Sequence, residues 1–386
     1  MRARVRGLCF LFSCLLTLPC AGAGVNQPTA PAGKTRMYYV SADEVEWDYA
    51  PHNMDHMTGK PFDKSTMIWV EKGKDRIGQV YRKAIYREYT DSTFQTLKPR
   101  TAEYAHMGIL GPVIHAEVGD TIRIVFRNNA TQLYGMHPHG VSYAKESEGA
   151  PYAGMSPEST GLVAPGHMHT YIWEVPERAG PGPDDGSSVM WLYHSHNYEP
   201  KDVNAGLIGP IVITAKGMAR ADGSPKDVER ELFALFMIID ENQSHYLQHN
   251  IDTYAGDPKS VKKLELVPED ADGNADLTMG HGFALVNHKF TINGFIYGNN
   301  PPIQIHKGEH VRWYLMTMGD GFNFHTPHWH GNIVTVDKHH TDILSLAPAQ
   351  FVVADMTPDN VGTWMFHCHL SDHMAGGMMT SYEVLP

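Results

Sequence analysis

The chain repeats one ordered series of short motifs, and this duplication constrains its fold more than any other feature. Four segments of the first half have counterparts, in the same order, in the second half: VGDTIR at 118–123 and KGEHVR at 307–312, HPHG at 137–140 and HWHG at 328–331, AP at 164–165 and 347–348, and WLYHSH at 191–196 and WMFHCH at 364–369. Because the order is the same in both halves, the sequence predicts two related domains in tandem.

The boundary between the domains is expected in a short stretch of small and polar residues. Residues 217–226, GMARADGSPK, combine glycine, proline and charged residues, which is typical of a linker. We therefore place domain 1 at residues 36–216 and domain 2 at residues 227–386.

Short alternations of apolar and polar residues predict strands in both domains. The pattern occurs at Ile122, Ile124 and Phe126, at Tyr171, Trp173 and Val175, and at Val311, Trp313 and Leu315. Period-two alternation indicates half-buried strands, and the 36 Gly and 25 Pro residues provide many turns. We predict an all-β chain built from two tandem Greek-key β-sandwich domains.

The N-terminus has the pattern of a secretory signal peptide. Three arginines precede an apolar run from Leu8 to Pro19, and small residues around Ala23 offer a cleavage site. The run is too short to span a bilayer. We expect a signal peptide at 1–23, a flexible lead at 24–35, and an exported protein, periplasmic or extracellular, with no membrane span. The net charge of −12 argues against nucleic-acid partners, because phosphate contacts need Lys and Arg.

Histidine is the residue type that indicates metal chemistry. The chain has 24 His but only four Cys, and H-x-H units stand at matching places in the two halves, two per domain. On a strand, residues i and i+2 point to the same face, so each unit can direct two imidazoles at one region. Imidazoles grouped in this way suit a copper cluster better than zinc, which closes its site with four ligands.

The last H-x-H unit carries a cysteine at its centre. Cys368 lies between His367 and His369, so alternation along a strand places its sulfur on the face opposite the two imidazoles. That face can offer the ligand set of a mononuclear blue-copper site, namely His325, Cys368, His373 and Met378. In domain 1, Ser195 stands where Cys368 stands in domain 2, so we predict one such copper per chain.

These motifs resemble those of multicopper oxidases, especially two-domain members and the paired domains of the ceruloplasmin and hephaestin type. The resemblance extends from about residue 37 to the end and includes four further segments, DRIG at 75–78, YTD at 89–91, GILGP at 108–112 and WEVPERAGPG at 173–182. It implies cupredoxin-like domains and an oxidase that takes single electrons from a reductant and reduces dioxygen to two waters.

The resemblance also implies which residues bind which copper, with about four copper ions per chain. The type-2 ligands would be His137 and His328, the type-3 ligands His139, His194, His196, His330, His367 and His369, and the type-1 ligands His325, Cys368, His373 and Met378.

The implied trinuclear cluster of type-2 and type-3 copper needs imidazoles from both domains. The resemblance to two-domain members implies a ring of three chains, in which domain 1 of one chain meets domain 2 of the next. We therefore expect a homotrimer with interfacial clusters. The alternative is a monomer with an intramolecular cluster.

Four further residues are candidates for supporting roles. Tyr143 stands where small two-domain laccases have a tyrosine near type-2 copper, and Glu148 in the same loop is a candidate proton donor. Asp372 adjoins His373 and can orient its ring or receive the reductant. Asp202 is a weaker candidate for a similar role near His196.

The pattern departs from ceruloplasmin at the iron-oxidation site. Gly321 and Leu285 stand in the places of two carboxylates of that site, and Phe290 stands in the place of a histidine. Of that site only Asp372 remains, whereas a hard cation needs several oxygen ligands. The implied reductant is therefore a phenol or an aromatic amine, as in a laccase.

Three alternatives stay open. A metal-ion oxidase (ferrous, cuprous or manganous) is the second hypothesis; it could use other groups, such as the Asp55-His56-Met57 patch, His339, His340, Met374 or Met379. A copper nitrite reductase is a third, although it would carry its cysteine in domain 1. A non-catalytic module of the coagulation-factor type is the fourth, although such modules lack most of these ligands.

Overall fold

A computed structural model describes residues 33–265, 282–319 and 323–386. The predicted signal peptide, residues 24–32 of the predicted lead, and Gly321 lie outside the described residues. Strands dominate the described chain, which confirms the all-β prediction.

The first sandwich is formed by strands β1 to β9. Their bounds are Thr35–Asp48, Val80–Glu88, Ile114–Glu117, Thr121–Asn128, His137–Pro138, Ser142–Tyr143, Met168–Glu174, Ser188–His194 and Ile208–Thr214. One sheet has the order β2-β1-β4-β7-β6 and the other β3-β9-β8-β5. Strands β1 and β4 run parallel, as do β3 and β9.

The second sandwich is formed by strands β10 to β19. Their bounds are Arg230–Asp240, His288–Ile292, Ile303–His306, Val311–Met316, Pro327–Trp329, Val334–Val336, His339–Thr341, Phe351–Met356, Gly362–Cys368 and Met379–Leu385. The sheet orders are β11-β10-β13-β17-β15-β16 and β12-β19-β18-β14. The parallel pairs β10–β13 and β12–β19 repeat those of the first sandwich, so the duplication seen in the sequence is also a duplication of topology.

Helices are short and lie in the connections. The α-helices α1 to α5 are Lys64–Met67, Glu199–Ala205, Leu247–Tyr254, Phe283–Val286 and Ser371–Ala375, and 3₁₀ turns occur at Ala102–Met107, Lys145–Ser147, Pro157–Thr160, Glu177–Ala179, Glu241–Gln243 and Pro258–Ser260. Across the described residues, we find no helix with the length and apolar character needed to cross a membrane.

Strand β4 shows the predicted alternation. Ile122, Ile124 and Phe126 are buried in the core of the first sandwich, whereas Arg123 between them is exposed. The apolar face of this strand therefore covers the core and the polar face meets solvent.

The prediction of a half-buried strand is wrong for β13, in which all six residues are buried. Trp313 and Leu315 face the core of the second sandwich. Tyr314 and Met316 face a separate apolar cluster that also contains Leu192 of β8. Because β13 is covered on one side by its own sandwich and on the other by domain 1, neither face meets water.

Buried polar contacts also join the two domains. Arg312 is buried, and its guanidinium donates to both carboxylate oxygens of Asp355 at 2.6 and 2.8 Å. The same group donates to the hydroxyls of Ser187 and Ser188, in domain 1, at 2.9 and 2.8 Å. One buried cation is thus shared between the domains.

Two further ion pairs cross the same boundary. Lys83 of β2 and Glu241 are both fully buried, with Nζ and Oε1 2.5 Å apart. His115 of β3 lies 2.9 Å from Glu231 of β10. The predicted linker lies between β9 and β10, and Ala219, which is buried, is one of its residues.

Candidate metal centres

The first group of imidazoles lies where the short strand β5 meets the end of β8. His137 pairs with His194 across the ladder, and His139 and His196 lie two residues further along. The Nε2 atoms of His139 and His194 are 3.1 Å apart, and the ring centroids of His137 and His196 are 5.0 Å apart. The four predicted ligands of domain 1 therefore form one cluster, which we call the domain-1 histidine group.

Main-chain carbonyls fix the orientation of two of these rings. His137 donates its Nδ1 proton to the carbonyl oxygen of Glu148 at 2.7 Å, and His194 donates to that of Ser195 at 3.1 Å. Because Nδ1 is engaged, Nε2 is the nitrogen left to bind a metal.

The second group repeats this arrangement on β14 and β18. His328 pairs with His367 across the ladder. His367 Nε2 lies 3.2 Å from His328 Nδ1 and 3.0 Å from His330 Nε2, and the ring centroids of His328 and His369 are 5.2 Å apart. These four residues form the domain-2 histidine group.

The residues predicted for a mononuclear copper, His325, Cys368, His373 and Met378, lie beside the domain-2 histidine group. We call them the mononuclear set. Cys368 Sγ is 3.9 Å from His325 Nδ1 and 3.6 Å from His373 Nδ1, and these two nitrogens are 3.2 Å apart. Met378 is buried; its carbonyl accepts a hydrogen bond from the Cys368 amide at 3.1 Å, and its amide donates to the His373 carbonyl at 3.0 Å. The segment from His373 to Met378 is thus folded back against Cys368.

The spacing of the donor atoms fits bound metal ions. A first-row metal ion such as zinc binds imidazole nitrogen at about 2.0–2.1 Å and thiolate sulfur at about 2.3 Å, which places neighbouring ligand atoms roughly 3 to 3.6 Å apart. The nitrogen pairs lie 3.0–3.2 Å apart, and the sulfur–nitrogen pairs 3.6 and 3.9 Å apart. All of these separations except the 3.9 Å between Cys368 Sγ and His325 Nδ1 fall within that range, so the residues fit copper once this one pair moves slightly closer.

Burial keeps several of these groups uncharged. Together with neighbouring histidines, it lowers the pKa of His139 to about 4 and that of His325 to about 3. Burial also raises the pKa of the Cys368 thiol. Neutral imidazole is the form that binds a metal, whereas the thiol loses its proton when the metal binds.

Two residues near these centres were not found from the sequence. The Thr326 amide donates a hydrogen bond to Cys368 Sγ at 3.4 Å, and such bonds to the sulfur tune a blue-copper site. Asp342 Oδ2 lies 3.7 Å from His328 Nε2 and can orient that ring. Thr326 directly follows His325, which was a usable signal, whereas nothing in the sequence marked Asp342.

In domain 1, the place of the mononuclear set is filled by hydrogen-bonded side chains. Ser195 donates its hydroxyl proton to Asp202 Oδ2 at 2.8 Å, and His245 Nε2 lies 2.9 Å from Asp202 Oδ1. The amides of Asn197 and Tyr198 also donate to Asp202. Asp202, which is fully buried, therefore holds the segment that follows the second H-x-H unit.

The other supporting candidates occupy different environments. The ring of Tyr143 lies 6.0 Å from that of His137. Burial acts to raise the pKa of Glu148, but hydrogen bonds from Lys145 and Tyr152 outweigh it and hold that pKa below its usual value. Glu148 is thus ionised at neutral pH. Asp372 is exposed in α5.

Phe290 stands at one of the positions that correspond to the iron-oxidation site of ceruloplasmin, and its aromatic ring lies near the mononuclear set. The Phe290 ring centroid lies 5.5 Å from that of His373, and Leu285 lies in α4, which packs beside the strand that carries Phe290. These apolar side chains offer no ligand for a hard cation, and of the two it is the Phe290 ring that lies beside His373.

Two tandem sandwiches that carry two four-histidine groups and one Cys-His₂ set are characteristic of multicopper oxidases. Residues 88–217 and 271–386 each match a family profile described as multicopper oxidase, and the chain belongs to this family. A crystal structure of a multicopper oxidase shares the fold, with a TM-score of 0.55 and 18% identity over 92% of this chain and 91% of that chain. This agreement confirms the cupredoxin-like fold.

The similar proteins include one that is named as a ferroxidase. The chain is 39% identical over 357 residues to ferroxidase HEPHL1 of Mus musculus, covering 91% of this chain and 29% of the relative. It is 36% identical over 359 residues to ceruloplasmin of Homo sapiens, covering 91% of this chain and 31% of the relative. The chain thus spans less than a third of the length of these proteins. The family match and these identities confirm the resemblance to multicopper oxidases of the ceruloplasmin and hephaestin type.

Proposed function

We propose that this protein is a copper-dependent oxidase that takes electrons from a metal ion and uses them to reduce dioxygen to water. The observation that carries the proposal is the adjacency of Cys368, in the mononuclear set, and His367, in the domain-2 histidine group. One peptide unit joins an electron-entry site to a site with several imidazoles. The relative named as a ferroxidase favours a metal ion as reductant over the phenol or aromatic amine expected from the sequence.

Copper bound at these sets would supply one-electron redox chemistry and the reduction of dioxygen. The residues of this chain hold and orient those ions. His325, Cys368 and His373 converge as the mononuclear set, and the Phe290 ring packs beside His373. The Glu148 carbonyl directs His137 into the domain-1 histidine group.

We also propose that the trinuclear cluster forms between chains of a homotrimer. Within the described part of one chain, no hydrogen bond or ring contact joins a histidine of one four-histidine group to one of the other. A closed head-to-tail ring brings the domain-1 group of one chain to the domain-2 group of the next.

Exposed apolar side chains near both groups support this interface. Tyr152, Met155 and Tyr198 lie close in sequence to the domain-1 ligands, and Phe324, Ile333 and Ile343 to the domain-2 ligands. Ile343 also pairs with His328 through an isolated bridge. Where such side chains form a contiguous patch, the surface is typical of one that binds another chain.

Oxygen uptake by the copper-loaded protein tests the choice of reductant. The protein would be supplied separately with cuprous ion, ferrous ion and a dimethoxyphenol, each corrected for spontaneous oxidation. We expect faster uptake with at least one metal ion than with the phenol. Uptake with the phenol alone would overturn the metal-ion proposal and support the laccase-like alternative.

A further inference from the structure

The loop between β1 and α1 carries three side chains of the types that can bind a soft metal ion, and these lie outside both histidine groups. The rings of His52 and His56 meet edge to face, with centroids 4.7 Å apart. Both residues are exposed. Among the residues that the structure describes, none forms a hydrogen bond to either ring.

Met57 adds a thioether to this pair. A Cβ atom placed on Gly298 would lie 2.9 Å from Met57 Sδ and 3.1 Å from His56 Cβ. The sulfur and the His56 side chain therefore rest against the same point of the backbone. We call His52, His56 and Met57 the loop donor set.

Hydrogen bonds hold the loop in this shape. Asp55 is buried, and its carboxylate accepts hydrogen bonds from the Met57 amide and the Thr58 hydroxyl, both at 2.9 Å. The His52 amide donates to Asn299 Oδ1 at 3.1 Å. Because the Asp55 carboxylate is engaged within the turn, the donors left for a metal ion are the two exposed imidazoles and the Met57 thioether, which packs against Gly298.

The loop also lies against the segment that carries Met378. The His56 amide donates to the Tyr297 carbonyl at 3.1 Å, and the Tyr297 amide donates to the Gly377 carbonyl at 2.8 Å. The next amide, that of Gly298, donates to the Met379 carbonyl at 2.9 Å. Two hydrogen-bonded steps thus connect the loop to the residues on either side of Met378.

We propose that the loop donor set binds cuprous ion as the reducing substrate of this enzyme. Thioether and imidazole ligands select the soft, singly charged cuprous ion, whereas ferrous ion prefers sites that include carboxylate oxygen. This inference rests on the proposed function, because it names the metal ion and the place where that ion binds.

The reaction balances with dioxygen as the acceptor. Each cuprous ion gives up one electron and leaves as a cupric ion. Four such electrons and four protons convert one dioxygen to two waters. The cupric ion prefers nitrogen and oxygen ligands, so loss of the electron weakens the thioether contact and favours release.

Cuprous-ion binding tests the site independently of turnover. The copper-loaded protein would first be fully reduced without oxygen, and its uptake of additional cuprous ion would then be measured by competition with a chromophoric cuprous chelator. We expect one additional ion for the wild type. We expect His52→Gln/His56→Gln to bind it at least about tenfold more weakly, since even the loss of residues that support metal ligands costs that much.

A matched control removes two exposed imidazoles elsewhere. His249 and His306 are exposed and lie in α3 and β12, and His249→Gln/His306→Gln should bind the additional ion as the wild type does. If His52→Gln/His56→Gln also binds it with wild-type affinity, the site is wrong, whatever the oxidase activity.

Steady-state kinetics tests whether the bound ion is a substrate. In His52→Gln/His56→Gln we expect KM for cuprous ion to rise at least about tenfold, with a smaller change in kcat. Weakened binding without a change in KM would overturn the substrate role. Binding of the additional ion by a wild type that oxidises no metal ion would overturn the proposed function and the substrate role together, and leave a metal-binding site.

Discussion

His367 and Cys368 are consecutive residues, yet their side chains belong to different candidate metal centres. His367 Nε2 lies 3.0 Å from His330 Nε2, whereas Cys368 Sγ lies 3.6 Å from His373 Nδ1. The two side chains point to opposite faces of β18, as alternation along a strand requires. The His367 ring also donates its Nδ1 proton to the Cys368 carbonyl at 2.9 Å, so the peptide unit that follows Cys368 orients the His367 ring.

Cys368→Ser should remove the intense visible absorption of the copper-loaded protein and reduce its copper content by about one ion per chain. The thiolate is the strong ligand of the mononuclear set, and the serine hydroxyl does not replace it. Ser195→Ala, at the corresponding place in domain 1, should leave the absorption intact. An unchanged absorption spectrum of Cys368→Ser would show that the mononuclear site lies elsewhere.

Glu148→Gln should keep its copper and lose about 1 kcal/mol of stability. The carboxylate is bound by Lys145 and Tyr152, whereas the contact to His137 is made by the main-chain carbonyl, which the substitution keeps. Turnover at neutral pH and copper analysis check this prediction. A fall in turnover of tenfold or more, with copper retained, would show instead that the carboxylate delivers protons.

Arg312→Leu should lower the free energy of unfolding by about 3 kcal/mol, because it leaves Asp355 and two domain-1 hydroxyls without their shared cation. Denaturant unfolding measures the loss. Arg123→Leu, on an exposed position of β4, is a control that should change stability by less than about 0.5 kcal/mol. Equal effects of the two substitutions would contradict the role of Arg312 at the domain boundary.

The pair of His115 and Glu231 should make stability depend on pH. Burial acts to lower the pKa of His115, but the charge and hydrogen bond of Glu231 outweigh it and raise that pKa above 6.5. Since the folded state binds the proton more tightly, this contribution is fully present below the unfolded pKa and is lost as the pH rises through the folded pKa. The pKa of Glu231 is lowered: burial opposes this shift, and His115 outweighs burial. Its contribution is therefore lost as the pH falls.

The free energy of unfolding of the wild type should therefore decline more steeply above neutral pH than that of His115→Gln, by up to about 1.4 kcal/mol per pH unit. Denaturant unfolding at several pH values measures the two slopes. Equal slopes would contradict the raised pKa of His115.

The fold and the convergence of the histidine side chains were predictable from the sequence because both depend on local periodicity. Each H-x-H unit lies on or at the end of a strand, and the period of two directs both imidazoles to one side. The pairing of His137 with His194 and of His328 with His367 then brings the units together. The equivalence of the two pairings follows from the duplicated order of motifs.

Contacts between distant segments were not predictable in this way. Strand β13 alternates in sequence, but domain 1 covers its second face and buries all six residues. His245, from domain 2, enters the place in domain 1 that corresponds to the mononuclear set of domain 2 and meets Asp202. The loop donor set likewise depends on Gly298, whose position beside Met57 and His56 arises only when the chain has folded.

Native mass spectrometry of the copper-loaded protein tests the central claim most directly, because it counts chains and copper ions in the same particle. We predict three chains with about four copper ions per chain. A single chain that holds about four ions would contradict a cluster shared between chains. A trimer with only about one ion per chain would contradict the assignment of the two histidine groups as copper ligands.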